Sequence, residues 1–228
     1  MKKIAIIPAY NERDSIVKTV SDLQKKAPDF DYVIINDCST DDTMDVCREH
    51  GLHVLNLPIN LGIGGAVQTG YLYAYNNNYD LAVQFDGDGQ HDASYLEMMS
   101  MVMEEKQLDM VIGSRFIKKE GFQSSGLRRI GIRYFAFLTK FLFGKEITDA
   151  TSGMRMCNRR VMELFIKEYP RDYPEPESVA RLLRHKCRIE EVPVIMHERE
   201  TGVSSISLKK SGYYMIKVSL AVLIERLR

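Results

Sequence analysis

The clearest structural signal in the chain is the stretch Leu81-Ala82-Val83-Gln84-Phe85-Asp86-Gly87-Asp88-Gly89-Gln90-His91-Asp92. Its apolar first part, 81–85, predicts a buried β-strand, and the carboxylates of Asp86 and Asp88 follow directly. Two carboxylates separated by one glycine can meet a single divalent cation, and such hard oxygen ligands suit Mg2+ or Mn2+. Because glycine has no side chain, a phosphate can approach this backbone closely. The stretch therefore predicts a strand that ends at a site for a metal ion and phosphate groups.

The same turn is compatible with two other structures. One is a polar turn that caps the following helix. The other is the loop of a helix–loop–helix calcium site, since oxygen ligands stand at the required spacing: Asp86, Asp88, Gln90, Asp92 and Glu97. Two features oppose the calcium loop. His91 occupies the position where a glycine is expected, and the preceding segment is predicted to be a strand rather than a helix.

Strand-like and helix-like patterns alternate from the N-terminus to residue 113. Strands are predicted at 3–7, 32–35, 53–57, 81–85 and 110–112, and helices at 13–26, 41–50, 63–75 and 94–106. Apolar strands that alternate with helices predict an α/β fold with a mostly parallel central sheet and helices on both faces. In such sheets ligands bind beyond the carboxyl ends of the strands. The residues directly after each strand are therefore the candidates for function.

The pattern changes after residue 113. A loop is predicted at 114–126, and a helix with a basic start and an aromatic body is predicted at 128–143. The later elements are a polar turn at 149–153, helices at 160–167 and 179–185, a strand at 188–195 and a terminal helix at 210–228. The Pro-rich segment 169–176 is expected to separate the two internal helices.

The two halves of the chain carry opposite charge, although the net charge is zero. Residues 1–110 contain 8 Lys and Arg against 18 Asp and Glu, whereas residues 111–228 contain 23 against 13. An acidic half suits a metal ion, and a basic half suits phosphate or an anionic surface. The distribution is also compatible with a salt-bridged protein whose faces differ in charge.

Composition indicates a globular protein of a reducing compartment. The 228 residues are 45% hydrophobic, which is enough to form a sizeable core. The four cysteines form no Cys-x-x-Cys pair, so neither a zinc site nor a disulfide framework is indicated. The apolar run 4–7 is too short for a signal peptide, and no stretch approaches the roughly 18 apolar residues of a membrane-spanning helix. We therefore expect a cytoplasmic location.

Three further polar motifs follow the first three predicted strands. After the first stands Pro8-Ala9-Tyr10-Asn11-Glu12, in which a rigid proline turn, an aromatic ring and a carboxylate fit either a pocket for a base and ribose or a helix cap. After the second strand, Asp37 can accept hydrogen bonds from the edge of a nucleotide base. The polar residues Ser39 to Asp42 are predicted to cap the following helix, with Ser39 and Thr40 as candidates for the N-cap. After the third, residues 60–66 predict a tight turn with close helix packing, since a dinucleotide fingerprint would follow the first strand.

These motifs, in this order and followed by Gly113-Ser114-Arg115, resemble family 2 glycosyltransferases. More narrowly, they are similar to the branch of dolichyl-phosphate mannosyltransferases and bacterial polyprenyl-phosphate glycosyltransferases, over nearly the whole chain. The resemblance implies the A-type nucleotide-sugar glycosyltransferase fold, an inverting reaction and Mg2+ or Mn2+ as cofactor. It implies that four residues contact the nucleotide: Pro8, Tyr10, Glu12 and Asp37. It also implies that Asp86, Asp88 and Gln90 serve the metal and the diphosphate, with Arg115 helping to neutralise the diphosphate. Asn36 departs from the branch, in which many members have an aspartate.

The second half of the chain extends the resemblance. Three arginines resemble the branch's binding site for a lipid phosphate: Arg128, Arg129 and Arg133. Guanidinium groups suit phosphate because their donors are forked and always charged. The aromatic body of this helix fits either the membrane interface near a prenyl chain or a protein core. Residues 149–155 resemble the segment that closes the active site, and Arg199 and Ser204 belong to a segment that resembles a further phosphate contact.

The function implied is transfer of a sugar from a nucleoside-diphosphate sugar, preferably a UDP sugar, to a polyprenyl phosphate for cell-surface glycan synthesis. The enzyme is expected to lie peripherally at the inner face of the plasma membrane. Many branch members carry transmembrane helices after the catalytic domain, so a small membrane protein is an expected anchoring partner, and a homo-oligomer is possible. Nucleic acid is not an expected partner. The expected organisation is a catalytic domain at 1–208, with a nucleotide-sugar and metal half at 1–113 and an acceptor half at 114–208, then an amphipathic helix at 209–228.

Two other functions stay open. Transfer to a sugar hydroxyl of a growing polysaccharide needs a general base, for which Glu177 and Asp149 are candidates. A non-catalytic nucleotide-sugar-binding subunit is the second alternative, although the intact metal ligands argue against it.

Overall fold

The structure, a computed structural model, describes residues 1–118, 120, 126–171, 174–197 and 208–227, with only the backbone at 126–128 and 208–211. The described strands are β1 (Lys3–Ala9), β2 (Phe30–Asn36), β3 (Val54–Asn56), β4 (Leu81–Gln84), β5 (Met110–Ser114), β6 (Arg155–Asn158) and β7 (Ile189–Pro193). The helices are α1 (Ile16–Lys26), α2 (Thr43–Glu49), α3 (Gly62–Asn76), α4 (Leu96–Glu105), α5 (Gly126–Phe143), α6 (Arg159–Lys167), α7 (Pro174–Arg184) and α8 (Leu208–Leu227). Among the described helices, none has an apolar stretch long enough to cross a bilayer.

The strands form one sheet in the order β3-β2-β1-β4-β6-β5-β7. All neighbouring pairs are parallel except those of β6, which pairs antiparallel with both β4 and β5. Each strand and helix predicted up to residue 113 is present, with shifted bounds. The mostly parallel sheet follows from that strand–helix alternation, because parallel neighbours need a crossover connection.

The sheet is covered on both faces because its strands alternate apolar side chains between two cores. In β1, Ala5 and Ile7 pack into the core that includes residues of α1 and α4, whereas Ile4 and Ile6 pack into the core on the side of α3, α6 and α7. Side chains that are two residues apart in a strand share a face, so one buried strand contributes to both cores. The loops predicted to be functional therefore lie at the carboxyl edge of the sheet, where the parallel strands end.

Strand β6 was not predicted from the sequence. Its four residues, Arg-Met-Cys-Asn, begin with an arginine and lack the apolar run that marks a buried strand. The segment is nevertheless buried, since it pairs on both sides within the sheet. Burial in this case comes from pairing partners that are distant in sequence.

Two prolines were predicted to lie outside regular structure, and the structure corrects both predictions. Helix α7 begins at Pro174 inside the Pro-rich segment, because a proline in the first helical turn loses no helical hydrogen bond. Pro8 lies within β1 instead of forming a turn. Strand β4 pairs with β1 only as far as Ile6, so the missing N–H of Pro8 falls beyond that ladder.

Helix α8 packs on α5 and α7 through a small third core. Phe135 of α5, Ala180 of α7 and Val218 of α8 are buried there. Arg181 and Glu225 form a buried ion pair between α7 and α8 at 2.7 Å. The terminal helix is therefore fixed to the rest of the chain by both apolar and ionic contacts.

Candidate active site

The loops that follow β1 and β2 are joined at the carboxyl edge of the sheet. The amide N–H of Asn11 donates to the Ser39 hydroxyl at 2.9 Å, and the amide N–H of Thr40 donates to Asn11 Oδ1 at 2.8 Å. The amide N–H of Glu12 donates to Thr43 Oγ1 at 2.9 Å. Of the residues predicted to cap α2, Ser39 and Thr40 bind the neighbouring loop instead, whereas Asp42 occupies the N-cap position and Asp41 Oδ1 accepts the amide N–H of Thr43 at 3.0 Å. This connection brings Tyr10, which is 47% exposed, beside the end of β2.

Asp37 is almost completely buried directly after β2, with an exposed fraction of 3%. Its Oδ1 accepts the amide N–H of Leu61 at 2.7 Å, and its backbone carbonyl accepts from Asn60 Nδ2 at 3.0 Å. Burial raises the pKa of the Asp37 carboxyl above its usual value, while the amide hydrogen bonds from Leu61 and Gly62 oppose that shift. Asp37 therefore holds the loop that begins α3, and its contact with a nucleotide base stays a prediction.

The turn at residues 60–66 packs closely, as predicted. Gly62 has a φ of +75°, which favours glycine. A Cβ atom on Gly64 would lie 2.1 Å from the carbonyl oxygen of Pro170 and 2.4 Å from that of Arg171. The start of α3 therefore fits against the segment before α7 only because residue 64 is glycine.

Neighbouring side chains hold Asp86 in place, but part of its carboxylate is exposed to solvent. Gln84 Nε2 donates to Asp86 Oδ1 at 3.0 Å, and the backbone N–H of Asp86 donates to His91 Nδ1 at 3.0 Å. His91 Nε2 lies 3.6 Å from Asp86 Oδ2. The Asp86 side chain is 33% exposed, whereas Gln84 and His91 are buried. We call residues 86–91 the metal turn. The buried side chains of Gln84 and His91 therefore hold the partly exposed carboxylate of Asp86 in a defined position.

The start of α1 supports the metal turn from another side. The hydroxyls of Ser15 and Thr19 lie 2.8 Å and 3.2 Å from the carbonyl oxygen of Gly87. Ser15 Oγ also lies 2.9 Å from Glu12 Oε2, and its single proton can be donated to only one of these oxygens at a time. The loop that carries Glu12 and the metal turn are thus parts of one site.

The turn before β6 reaches Asp86 because β6 runs antiparallel. The segment that precedes β6 enters at the same edge at which β4 and β5 end. A Cβ atom on Gly153 would lie 2.7 Å from Asp86 Oδ2 and 3.2 Å from Gln84 Nε2. Residues 149–153 therefore pack directly on the metal turn.

A fully buried arginine at the start of β6 fixes this turn. Arg155 donates to the carbonyl oxygens of Ala150 and Ser152 at 2.6 Å each. It also donates to the carbonyl oxygen of Glu175 at 2.7 Å and to Ser178 Oγ at 2.8 Å. Arg155 thereby connects the 149–153 turn to the start of α7.

Arg115 is engaged by a buried carboxylate. Its Nε and Nη2 each donate to one oxygen of Asp149 at 2.7 Å, and Nη2 also donates to Thr151 Oγ1 at 3.1 Å. The Asp149 side chain is 0% exposed, and Glu191 accepts its backbone N–H. Arg115 therefore fixes the 149–153 turn, and its contact with the diphosphate stays a prediction. Because both carboxylate oxygens of Asp149 accept from Arg115, Asp149 is poorly suited to be a general base.

The segment after β7 contacts the metal turn as well. The amide N–H of His197 donates to the carbonyl oxygen of Gln90 at 2.9 Å, and Gln90 Nε2 donates to the His197 carbonyl at 3.2 Å. The Gln90 side-chain oxygen is therefore the atom that can serve a metal. Arg199 and Ser204 lie outside the described residues.

The predicted acceptor arginines lie on α5. Arg129 and Arg133 are exposed, and the side chain of Arg128 is outside the described part. Helix α5 packs on α7 and α8. Among the described residues, no contact connects these arginines to the metal turn. Their role in binding the acceptor therefore stays a prediction.

The residues of the metal turn fit a divalent cation. Asp86 and Asp88 supply carboxylates, and Mg2+ or Mn2+ sites in enzymes often use one or two carboxylates together with substrate phosphate oxygens. In the described part of the chain, no group of three or more His, Cys, Asp or Glu side chains is arranged as a metal site. A calcium loop is excluded, because a strand precedes the turn and Glu97 pairs with Lys3 at 2.8 Å.

Sequence reasoning missed several residues that shape the site: Ser15, Thr19, Gln84, Gly153 and Arg155. Only Gln84 gave a signal, since it is the polar residue of an otherwise apolar predicted strand. The others depend on contacts between distant segments.

Solved structures share this fold. Glucosyl-3-phosphoglycerate synthase from Mycobacterium tuberculosis, in complex with Mn2+, uridine diphosphate and phosphoglyceric acid, superposes with a TM-score of 0.74 at 17% identity. The match covers 99% of this chain and 78% of that one. The likeness confirms the predicted A-type glycosyltransferase fold.

Three relatives match most of the chain. An undecaprenyl-phosphate mannosyltransferase from Micrococcus luteus is 30% identical, over 96% of this chain and 93% of its own length. A polyprenol monophosphomannose synthase from Mycolicibacterium smegmatis is 27% identical, over 96% and 86%. A UDP-N-acetylglucosamine–dolichyl-phosphate N-acetylglucosaminyltransferase from Methanococcus voltae is 29% identical, over 83% of each chain. The family model "Glycosyl transferase family 2" matches residues 4–165, and the chain is thus a member of that family of glycosyltransferases.

Proposed function

We propose that this enzyme transfers a sugar from a nucleoside-diphosphate sugar to a polyprenyl phosphate. The observation that carries the proposal is the joining of the predicted nucleotide loops to the metal turn at one edge of the sheet, through Ser15 and the carbonyl of Gly87. The names of the three relatives support a polyprenyl-phosphate acceptor. Uridine is the preferred base, and the solved complex with uridine diphosphate is compatible with that preference.

In the proposed reaction, a phosphate oxygen of the lipid attacks the anomeric carbon, and the bond to the diphosphate breaks in a single displacement that inverts this carbon. A bound Mg2+ or Mn2+ supplies positive charge that offsets the charge developing on the diphosphate. Asp86, Asp88 and Gln90 hold the metal and face the diphosphate. Pro8, Tyr10, Glu12 and Asp37 line the nucleotide pocket.

The proposed acceptor chemistry does not need a general base. A phosphate is already anionic at neutral pH, so its oxygen needs no deprotonation. Asp149 is held by Arg115 at 2.7 Å and is therefore not free to take a proton from a hydroxyl. We assign the positioning of the lipid phosphate to Arg128, Arg129 and Arg133, with Arg199 and Ser204 as further contacts.

The proposed site of action is the inner surface of a membrane, and one surface of the protein suits it. Exposed apolar side chains form a stripe on each of two adjacent helices, α5 and α8. This α5–α8 face consists of Ile130, Tyr134, Phe137, Phe141, Tyr213, Ile216, Leu220, Leu223, Ile224 and Leu227. The two helices contact each other through Tyr134 and Ser219, whose oxygens are 3.1 Å apart.

Charge and exposure favour a bilayer with anionic lipids as the occupant of the α5–α8 face. Phe137 is 65% and Phe141 75% exposed, and an apolar patch of this kind marks an interaction surface. Arg129 and Arg133 are exposed on the same helix, and basic side chains beside an apolar stripe are typical of helices that lie in a membrane interface.

Vesicle sedimentation tests the membrane proposal. We expect the protein to bind vesicles that contain phosphatidylglycerol better than vesicles of phosphatidylcholine alone, and the double variant Phe137→Ser/Phe141→Ser to lose binding. Leu72→Ser and Met101→Ser, which replace exposed apolar residues of other helices, are the controls. Equal binding by the double variant would refute the bilayer as the occupant. Dimerisation lost with the same two phenylalanines would assign the face to a second copy.

Two assays in sequence test the reaction. A thermal-shift screen of nucleotide sugars with Mn2+ identifies the donor, because a ligand of the folded state raises its stability. Release of nucleoside diphosphate is then measured with and without a polyprenyl phosphate. We expect metal-dependent release that the lipid phosphate stimulates strongly. Stimulation by a sugar acceptor in place of the lipid phosphate would contradict the proposal.

A further inference from the structure

The end of β4 contains a buried polar contact with an unusual feature. Gln84 is 1% exposed, and its Nε2 donates to Asp86 Oδ1 at 3.0 Å. Its Oε1 is also buried and has no hydrogen-bond partner among the described residues. Buried polar atoms in proteins are normally paired, so an unpaired acceptor at this position needs an explanation.

Rotation of the amide does not remove the problem. Turned by half a revolution, the side chain would bring Oε1, instead of Nε2, to Asp86 Oδ1. Two acceptor oxygens, one of them charged, would then face each other. The Asp86 carboxylate therefore sets the orientation of Gln84, and the bond to Asp86 is kept even though Oε1 stays unpaired.

His91 contacts the same aspartate from the other side. Its Nδ1 accepts the backbone N–H of Asp86, so the neutral ring carries its proton on Nε2. Nε2 lies 3.6 Å from Asp86 Oδ2, which is beyond a direct hydrogen bond but places the N–H beside the carboxylate. The ring makes an edge-on contact with Phe85 at 5.5 Å between centroids, and the His91 backbone forms a β-bridge with Met196.

We propose that Gln84 and His91 are positioning residues that hold the Asp86 carboxylate in the orientation that binds the divalent cation. The inference rests on the proposed function, because it takes Asp86 as a metal ligand. Partners that orient a ligand by hydrogen bonding typically change metal affinity by about 10- to 100-fold when they are removed. The Gln84 amide carries no charge, so it orients the carboxylate without cancelling its charge.

The test is the affinity for Mn2+ of the variant Gln84→Met, which keeps the length of the side chain but has no donor. Free Mn2+ is measured by electron paramagnetic resonance, alone and with uridine diphosphate present. We expect a dissociation constant about 10- to 100-fold higher than that of the unsubstituted protein. The Tm in EDTA should stay the same or rise, because the unpaired acceptor is removed together with the donor.

Gln68→Met is the matched control. Gln68 lies on α3, and its Nε2 donates to the carbonyl oxygens of Phe165 and Ile166 of α6, not to a residue of the metal turn. This variant should lower the Tm and leave the Mn2+ affinity unchanged. If Gln84→Met behaves in the same way, the contact serves packing alone and the proposal is overturned.

Two further variants keep the outcomes separate. His91→Asn retains an acceptor near the Asp86 N–H but has no atom at the position of Nε2, and we expect it to weaken Mn2+ binding as well. Should Gln84→Met fail to fold, unchanged affinity in His91→Asn overturns the proposal. Asp86→Asn separates failure of the proposed metal site from failure of the positioning role. Unchanged Mn2+ binding by Asp86→Asn refutes the metal site itself. Loss of Mn2+ binding by Asp86→Asn, together with normal binding by Gln84→Met, refutes only the positioning role.

Discussion

Gly153→Ala is expected to damage the active site while leaving the fold intact. The added Cβ atom would lie 2.7 Å from Asp86 Oδ2 and 3.3 Å from Asp86 Cγ. Unbonded heavy atoms settle at roughly 3.5 Å, so the carboxylate has to retreat by about 0.8 Å. A misplacement of roughly 1 Å in a catalytic group costs about 100-fold in rate. We therefore expect kcat/KM to fall by about 10- to 100-fold, which corresponds to about 1.4–2.7 kcal/mol.

The fold should tolerate this change, because the atom that has to move is the end of a side chain at an open site. Gly153 does not have a positive φ, so alanine introduces no backbone strain. Alanine also restricts the unfolded chain, which stabilises by about 0.4–1 kcal/mol. The free energy of unfolding in EDTA should thus change by less than about 1 kcal/mol.

Gly64→Ala is the contrasting variant. Its Cβ atom would lie 2.1 Å from the backbone oxygen of Pro170. A backbone atom in a packed segment cannot relieve this clash by a side-chain rotation. We expect a loss of about 3 kcal/mol of stability, measured by urea unfolding. The assays are diphosphate release for activity and urea unfolding for stability. Unchanged kcat/KM in Gly153→Ala would show that the 149–153 turn does not press on Asp86 in solution.

Three further predictions concern the metal, a buried charge and pH. Asp88→Ala should lower turnover by orders of magnitude with an unchanged circular dichroism spectrum, and near-normal diphosphate release would refute its metal role. Arg181→Ala removes the partner at 2.7 Å from the buried Glu225, which keeps its ion pair with Arg184 at 2.9 Å, so urea unfolding should show a loss of about 1.5–3 kcal/mol; a loss below about 0.5 kcal/mol would contradict the importance of the Arg181–Glu225 pair. Burial raises the pKa of the Glu177 carboxyl above its usual value of 4.5, and Arg181 opposes the shift. The folded state therefore binds more protons than the unfolded state between pH 4.5 and the raised pKa, so stability falls as pH rises through that window. Glu177→Gln should be more stable than the unsubstituted protein at pH 7 and equally stable below about pH 4, as thermal unfolding at both pH values can check. Loss of turnover in Glu177→Gln would instead favour transfer to a sugar hydroxyl.

The sequence by itself determined the parallel half of the fold and the presence of two carboxylates in the turn after β4. Apolar strands that alternate with helices specify a covered parallel sheet, because each element's periodicity is a local property of the chain. Asp86 and Asp88 are two residues apart, so no long-range contact is needed to bring them to one turn. For the same reason the motifs after β1 and β2 could be assigned to the carboxyl edge of the sheet before their contacts were known.

Only the tertiary structure decided which distant segments complete the site. Strand β6 has no local signature, yet its antiparallel direction brings Gly153 against Asp86 and sets Arg155 beneath the turn. Arg115 pairs with the buried Asp149, which lies 34 residues away in sequence, and this contact became visible only in the fold. The exposure of Phe137 and Phe141 likewise depends on which face of α5 is covered by α7 and α8. Local periodicity determines elements and turns, whereas pairing between segments far apart in the chain is set by the packing of the whole molecule.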